Sequence, residues 1–122
     1  MDEDLWPANI VDSKLVPPVS ILKEQAALLG EKTRQLVRGE VTTEVIGNMI
    51  MQRFWIVAPT IAYKYELFSA SHTVSFYPLT IRHLNDTVQV KNEAEFKEKL
   101  KAMLAEAHTV NVVHSILAQV RS

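Results

Sequence analysis

The side chains of this chain best suited to chemistry are the four histidines His72, His83, His108 and His114, together with Tyr63, Tyr65, Tyr77, Lys64, Glu66, Arg82 and Asp86. A protein metal site draws imidazole and carboxylate ligands from neighbouring positions, on a helix from residues three or four apart. His108 and His114 are six apart and so fall on different faces of a helix. His72 and His83 would stand roughly 36 Å apart on a fully extended strand, so they share an ion only if the chain between them folds sharply. The absence of cysteine removes thiolate ligands, disulfides and a cysteine nucleophile together. No metal and no other cofactor is expected.

A general acid/base pair such as Glu66 with His72 or His83 is possible, but any small protein offers such pairs. The sequence has no Gly-x-Ser-x-Gly elbow, no phosphate loop and no dinucleotide fingerprint. It has only three glycines with which to build such loops. A small hydrolase is therefore the last of the function classes to be considered. Lys32, Arg34 and Arg38 form a basic cluster able to track phosphates. Those cations would equally complement the C-terminal dipole of a helix. Thirteen basic against fourteen acidic side chains leave a formal charge of −1, which gives the chain no bias toward nucleic acid or an anionic membrane.

These residues must be positioned by secondary structure, and the stretch from Met49 to Val90 carries most of the β-branched and aromatic residues able to face one another. Met49 to Ala58 is almost continuously apolar, as in a central strand covered on both faces, and is too short for a membrane span. Pro59 ends it. Ile61, Tyr63, Tyr65 and Leu67 then alternate with Ala62, Lys64 and Glu66, the period of a half-buried strand. The small polar interval Ser69 to Thr73 reads as a hairpin loop, and Val74 to Ile81 as a returning strand interrupted at Tyr77-Pro78. Asn85-Asp86 supplies turn residues before a short last strand, Thr87 to Val90. Glu40 to Ile46 is also β-prone, and Gly47-Asn48 is a two-residue turn that folds it onto Met49 onward. A helix from Glu40 through Met51 is the rival assignment for that segment.

Helices flank the meander. Pro17-Pro18 opens the first, since proline suits the first turn where its missing N–H has no partner to lose. Leu22, Ala26, Leu29, Leu36 and Val37 carry its apolar face toward Arg38, with Gly39 as a stop signal. Gly30 inside it calls for a bend or a close neighbour. Near the other end Asn92 is an N-cap with Glu95 three residues on. Phe96, Leu100, Met103, Leu104 and Ala107 follow as a buried stripe. His108-Thr109 breaks that pattern, Thr109 is placed to cap again, and Val110, Val113, Ile116, Leu117 and Val120 make a second stripe.

The expected fold is α+β, with an N-terminal helix, an antiparallel meander of four to five strands and two C-terminal helices packed on one face. Residues 17–122 form one domain, and residues 1–16 precede it as an arm with Trp6, Ile10, Leu15 and Val16 as apolar anchors. Such an arm either frays against its own domain or crosses to a partner, with Trp6 as the anchor. Met1 to Pro7 is acidic where a secretory signal would be basic, and no apolar run follows, so no export is expected and the cytoplasm is the expected compartment.

Function is sought first in binding. If helices cover the other side of the sheet, the Tyr63 and Tyr65 stripe becomes a surface for a partner or a second copy. If instead it is the core side, Lys64 and Glu66 face water. The expectation is a non-catalytic protein-interaction module that pairs with another protein or with itself as a homodimer. The alternative is a small-molecule or nucleic-acid binding domain, its pocket between the sheet and the first helix and lined by Tyr63, Tyr65, His72, Tyr77, Arg82 and His83.

Overall fold

The computed structural model describes residues 3–122 and runs, in order, through helix α1 (Pro18–Lys32), strands β1 (Arg38–Ile46), β2 (Met49–Ala58), β3 (Tyr63–His72), β4 (Leu79–His83) and β5 (Asp86–Val90), and helices α2 (Glu93–Ala105) and α3 (Ala107–Val120). The five strands form a single antiparallel sheet in the order β1-β2-β3-β4-β5, each paired with its neighbour in sequence. Helices α1, α2 and α3 share one core with the same side of the sheet. This is the expected α+β arrangement, and the segment after Gly39 is strand, not helix.

The β1–β2 hairpin turns where the sequence says it should. Gly47 takes φ +62, a conformation that glycine adopts without strain, and Ile46 pairs with Met49 across the turn. From there the register is fixed, so Gln52, Phe54, Ile56 and Ala58 point to the helices and are buried, while Met51, Arg53, Trp55 and Val57 point to the other side and are half-buried. β2 is therefore the second strand and covered by helices on one side only, not a central strand covered on both.

In β3 the pairing slips between Phe54 and Trp55: Phe54 faces Phe68 while Trp55 faces Glu66, so Leu67 is the extra residue of a bulge. Before the bulge Tyr63 and Tyr65 look toward the helices. After it the phase has changed, and Phe68, Ala70 and His72 do so. The strand runs on to His72, through residues that read as a loop from composition, because Ser69 and Ser71 sit on the outer side where small polar groups are at home. The true loop is 73–78, and the break at Tyr77-Pro78 is where β4 begins, one residue later at Leu79. The final hairpin turns at Leu84 and Asn85, with Leu84 at φ +56, one position earlier than Asn85-Asp86 would suggest.

α1 stops at Lys32, well short of Arg38. The Thr33 hydroxyl bonds the Leu29 carbonyl at 3.0 Å and accepts the Val37 N–H at 3.2 Å, and Arg34 and Gln35 take positive φ in the turn that follows. Val37 is thereby driven into the core, fully buried. Gly39 is no helix stop: it lets β1 pass under α1, since a Cβ there would lie 2.5 Å from the Ala26 Cα. Gly30 has the close neighbour its position called for, the Gln35 side chain.

α2 starts as expected, with the Asn92 side chain accepting from the Glu95 N–H at 2.8 Å. The Glu95 carboxylate accepts from the N–H of Lys91 rather than of Asn92. Phe96, Leu100 and Met103 are buried. Thr109 does not cap α3, which starts at Ala107. Its buried hydroxyl donates to the Met103 carbonyl at 2.7 Å and ties the first turn of α3 to the end of α2. No helix of the described residues is long and apolar enough to cross a membrane.

Candidate functional site

The structure separates the six residues Tyr63, Tyr65, His72, Tyr77, Arg82 and His83 into three places. Tyr65 is half-buried under α3, its hydroxyl 3.1 Å from His108 Nε2. His83, at the end of β4, is buried with its ring 6.0 Å from that of His108, and its Nδ1 lies 3.7 Å from a Glu106 carboxylate oxygen. Tyr63 completes this group at the rim, half exposed, across a shallow hollow of about 370 Å³ whose far wall includes Asn111, Ser115 and Gln119 of α3. Tyr63 and Tyr65 thus belong to the helix-covered side, and Lys64 and Glu66 to the other.

His72 and Tyr77 lie at the opposite end of the strands. The His72 ring is buried, donates from Nδ1 to the Thr73 carbonyl at 2.7 Å and meets Phe76 edge-on at 5.8 Å. Tyr77 tucks its hydroxyl out of solvent without a hydrogen bond from the described residues. Burial, with a smaller push from the Glu93 carboxylate, raises that hydroxyl above the usual phenol range. A raised folded-state value means that this phenol costs the fold no ionisation penalty below about pH 10, where the unfolded chain begins to ionise, and that stability falls as pH rises from there through the folded value. Tyr77→Phe is therefore expected to hold or raise stability by up to about 1 kcal/mol at pH 7, and to remove the corresponding alkaline loss. Urea midpoints for both proteins at neutral and alkaline pH test this. A parallel decline of the two would refute it.

Arg82 is on the outer side of the sheet, exposed. That side carries a charge lattice built by the hairpin register. Arg53 Nη1 lies 2.7 Å from Glu66 and Nη2 lies 3.7 Å from Glu44, and the hydrogen bond to Glu66 is the main reason the guanidinium holds its proton more firmly than usual. Lys64 Nζ lies 2.9 Å from Glu40 and 4.4 Å above the Trp55 ring, whose indole N–H donates to Thr42 at 2.9 Å. Arg53 and Lys64 are thus matched, in solvent-accessible pairs worth little individually, whereas Arg82 has no carboxylate partner among the described residues.

Lys32, Arg34 and Arg38 do not gather on one helix. Lys32 closes α1, Arg34 is in the turn and Arg38 opens β1, all three exposed. Lys32 stands instead at the mouth of a cleft that no residue cluster in the sequence announced. Between α1, α3 and the sheet lies a cavity of about 380 Å³ walled by Leu28, Leu29, Phe54, Ile56, Leu67, Leu104, Val110 and Val113, with Gln25, Lys32, Thr109 and His114 as its polar members. None of Tyr63, Tyr65, His72, Tyr77, Arg82 and His83 lines this cleft. Its apolar residues were legible as helix stripes.

The cleft continues between α1 and α2, sharing Gln25, Lys32 and Leu104 and adding Ile21, Glu24, Lys97, Leu100 and Lys101. The other unpartnered feature is the arm. Every described residue from Glu3 to Val16 is exposed, and none of its apolar side chains joins the core. The chain matches no family model, no curated protein and no solved structure.

Proposed function

We propose that this protein is a non-catalytic interaction module of the cytoplasm that associates with a second copy of itself, and that the N-terminal arm is the part that reaches across. The observation that carries this reading is the exposure of the arm. Leu5, Trp6, Ile10, Val11, Leu15 and Val16 lie within twelve consecutive positions and are all exposed, Trp6 at 71% and Val11 at 84%. Apolar side chains scattered singly over a surface need no explanation, whereas a contiguous set of them marks a contact. Tryptophan is also the side chain most often found to anchor an interface.

The arm has the preparation that a binding segment needs. The Ile10 N–H bonds the Pro7 carbonyl and the Asp12 N–H bonds the Asn9 carbonyl, which sets a turn in its middle. Pro17 at the junction holds extended backbone, φ −73 and ψ 153, which fixes the torsions where the arm joins α1. Part of the ordering entropy of association is thus already met in the free chain.

Light scattering tests the reading. The wild-type chain is expected to run at twice its monomer mass of 13.8 kDa at micromolar concentration, and the double variant Trp6→Asp, Ile10→Asp at the monomer mass with an unchanged circular dichroism spectrum. A wild-type monomer at every concentration sampled would end the proposal.

A further inference from the structure

We infer that the cleft between α1 and the C-terminal helices is the receptor for the arm of a second copy, so that two chains exchange arms reciprocally. This rests on the self-association just proposed and names the surface that receives it.

Three observations select the cleft. The first is shape and polarity: it is the largely apolar cavity of about 380 Å³ on the helix side, extended by a second trough along α2, and the arm offers apolar side chains with no place on its own body. The second is charge. The described arm carries Glu3, Asp4 and Asp12 against Lys14, and the trough is edged by Lys32, Lys97 and Lys101 with Glu24 as its one carboxylate. Lys97 is taken up by Glu93 at 3.3 Å. Lys32 and Lys101 pair with no carboxylate among the described residues; on the outer side of the sheet Arg53 and Lys64 are matched and Arg82 is not. The trough thus sets two unmatched lysines beside an apolar wall, which suits a segment that is both acidic and apolar.

The third observation is placement. The arm leaves from the start of α1 and the cavity opens at its end, beside Leu28, Leu29 and Lys32, a helix length of about 22 Å away. The arm is exposed along its described length, and none of its apolar side chains joins the core of its own chain. A standard interface takes about 20–30 residues from each partner. An arm of 14 described residues, 3–16, together with the cleft it enters is of that size. Exchange in both directions closes a two-fold dimer and leaves no arm free to propagate.

The test mixes two full-length variants. Trp6→Asp, Ile10→Asp keeps the cleft and spoils the arm. Val113→Glu keeps the arm and puts a carboxylate into the cavity. Each alone is expected to be monomeric, and an equimolar mixture to form a heterodimer through the one intact arm and the one intact cleft. As Val113→Glu reaches into half-buried structure, a second variant on the exposed rim, Lys32→Glu with Lys101→Glu, is measured beside it. It should weaken the wild-type dimer at least about tenfold, and adding Asp4→Lys with Asp12→Lys should restore it. If the wild-type chain is monomeric, self-association itself fails. If the dimer responds to the arm variant but not to Val113→Glu or the rim reversal, self-association stands and the cleft is not the receptor. If Trp6 is shielded in a monomer, or the cleft takes up an apolar dye with no change in mass, the arm docks at home or the cleft is a small-molecule pocket, and the exchange is overturned.

Discussion

Replacing Phe54 with alanine is expected to remove about 3–5 kcal/mol of stability, a large part of the roughly 5–15 kcal/mol that holds a domain of this kind together. Phe54 is 2% exposed and stacks on Phe68 with ring centroids 5.2 Å apart and planes 9° from parallel. It also forms part of the wall of the cleft. Truncation would therefore join a new void to an existing cavity instead of leaving a hole that neighbours can close, and it is the residual cavity that sets the upper end of such losses. Urea unfolding should show the midpoint falling with the slope unchanged. A loss below about 1 kcal/mol would mean that the β2–β3 centre is not the core described.

Gly39→Ala is the second large effect, and it works in the opposite direction, by crowding. The added carbon would sit 2.5 Å from Ala26 Cα and 2.9 Å from Phe54 Cζ. The first obstacle is helix backbone, which cannot rotate aside, so α1 must lift from β1 at about 3 kcal/mol, the high end for overpacking. Gly47→Ala is the control. Nothing lies within 4 Å of its added carbon, and only the positive φ is penalised, by about 1–2 kcal/mol. Because Phe54 is the second obstacle at Gly39, Phe54→Leu combined with Gly39→Ala should fall short of additivity by about 0.5 kcal/mol or more. Simple addition would place the two side chains out of contact.

Gly39 also shows where the sequence stops being readable. A glycine after an amphipathic run with arginines at its end fits a helix terminus, and a glycine where a strand crosses a helix looks no different until the two are packed together. The helix start was legible because Pro17-Pro18 acts locally. Its end was not, because it depends on a threonine hydroxyl at Thr33 reaching backward and forward at once. The Leu67 bulge was hidden for a related reason: alternation continues through Tyr63, Tyr65 and Leu67, and only the partner strand reveals the extra residue. The hairpin at Gly47-Asn48 was legible, and with it the register that pairs Thr42 with Arg53 and Glu40 with Trp55, so the charge lattice of the outer side was within reach of the sequence. The cleft was not. Its residues occur in ordinary helical stripes, and a gap between two elements has no local signal.

The strand order has a consequence for how the chain is made. Since each strand bonds only to the one before and the one after, the sheet can be laid down in the order of synthesis, beginning at the Gly47 hairpin, with no segment waiting for a distant mate. The part of its apolar side that α1 does not cover stays bare until α2 and α3, which follow the sheet in the chain, settle over β5 and β2. A polypeptide halted before Asn92 would therefore carry a finished sheet with much of one side uncovered, and that is the stage at which it would clump or need a chaperone.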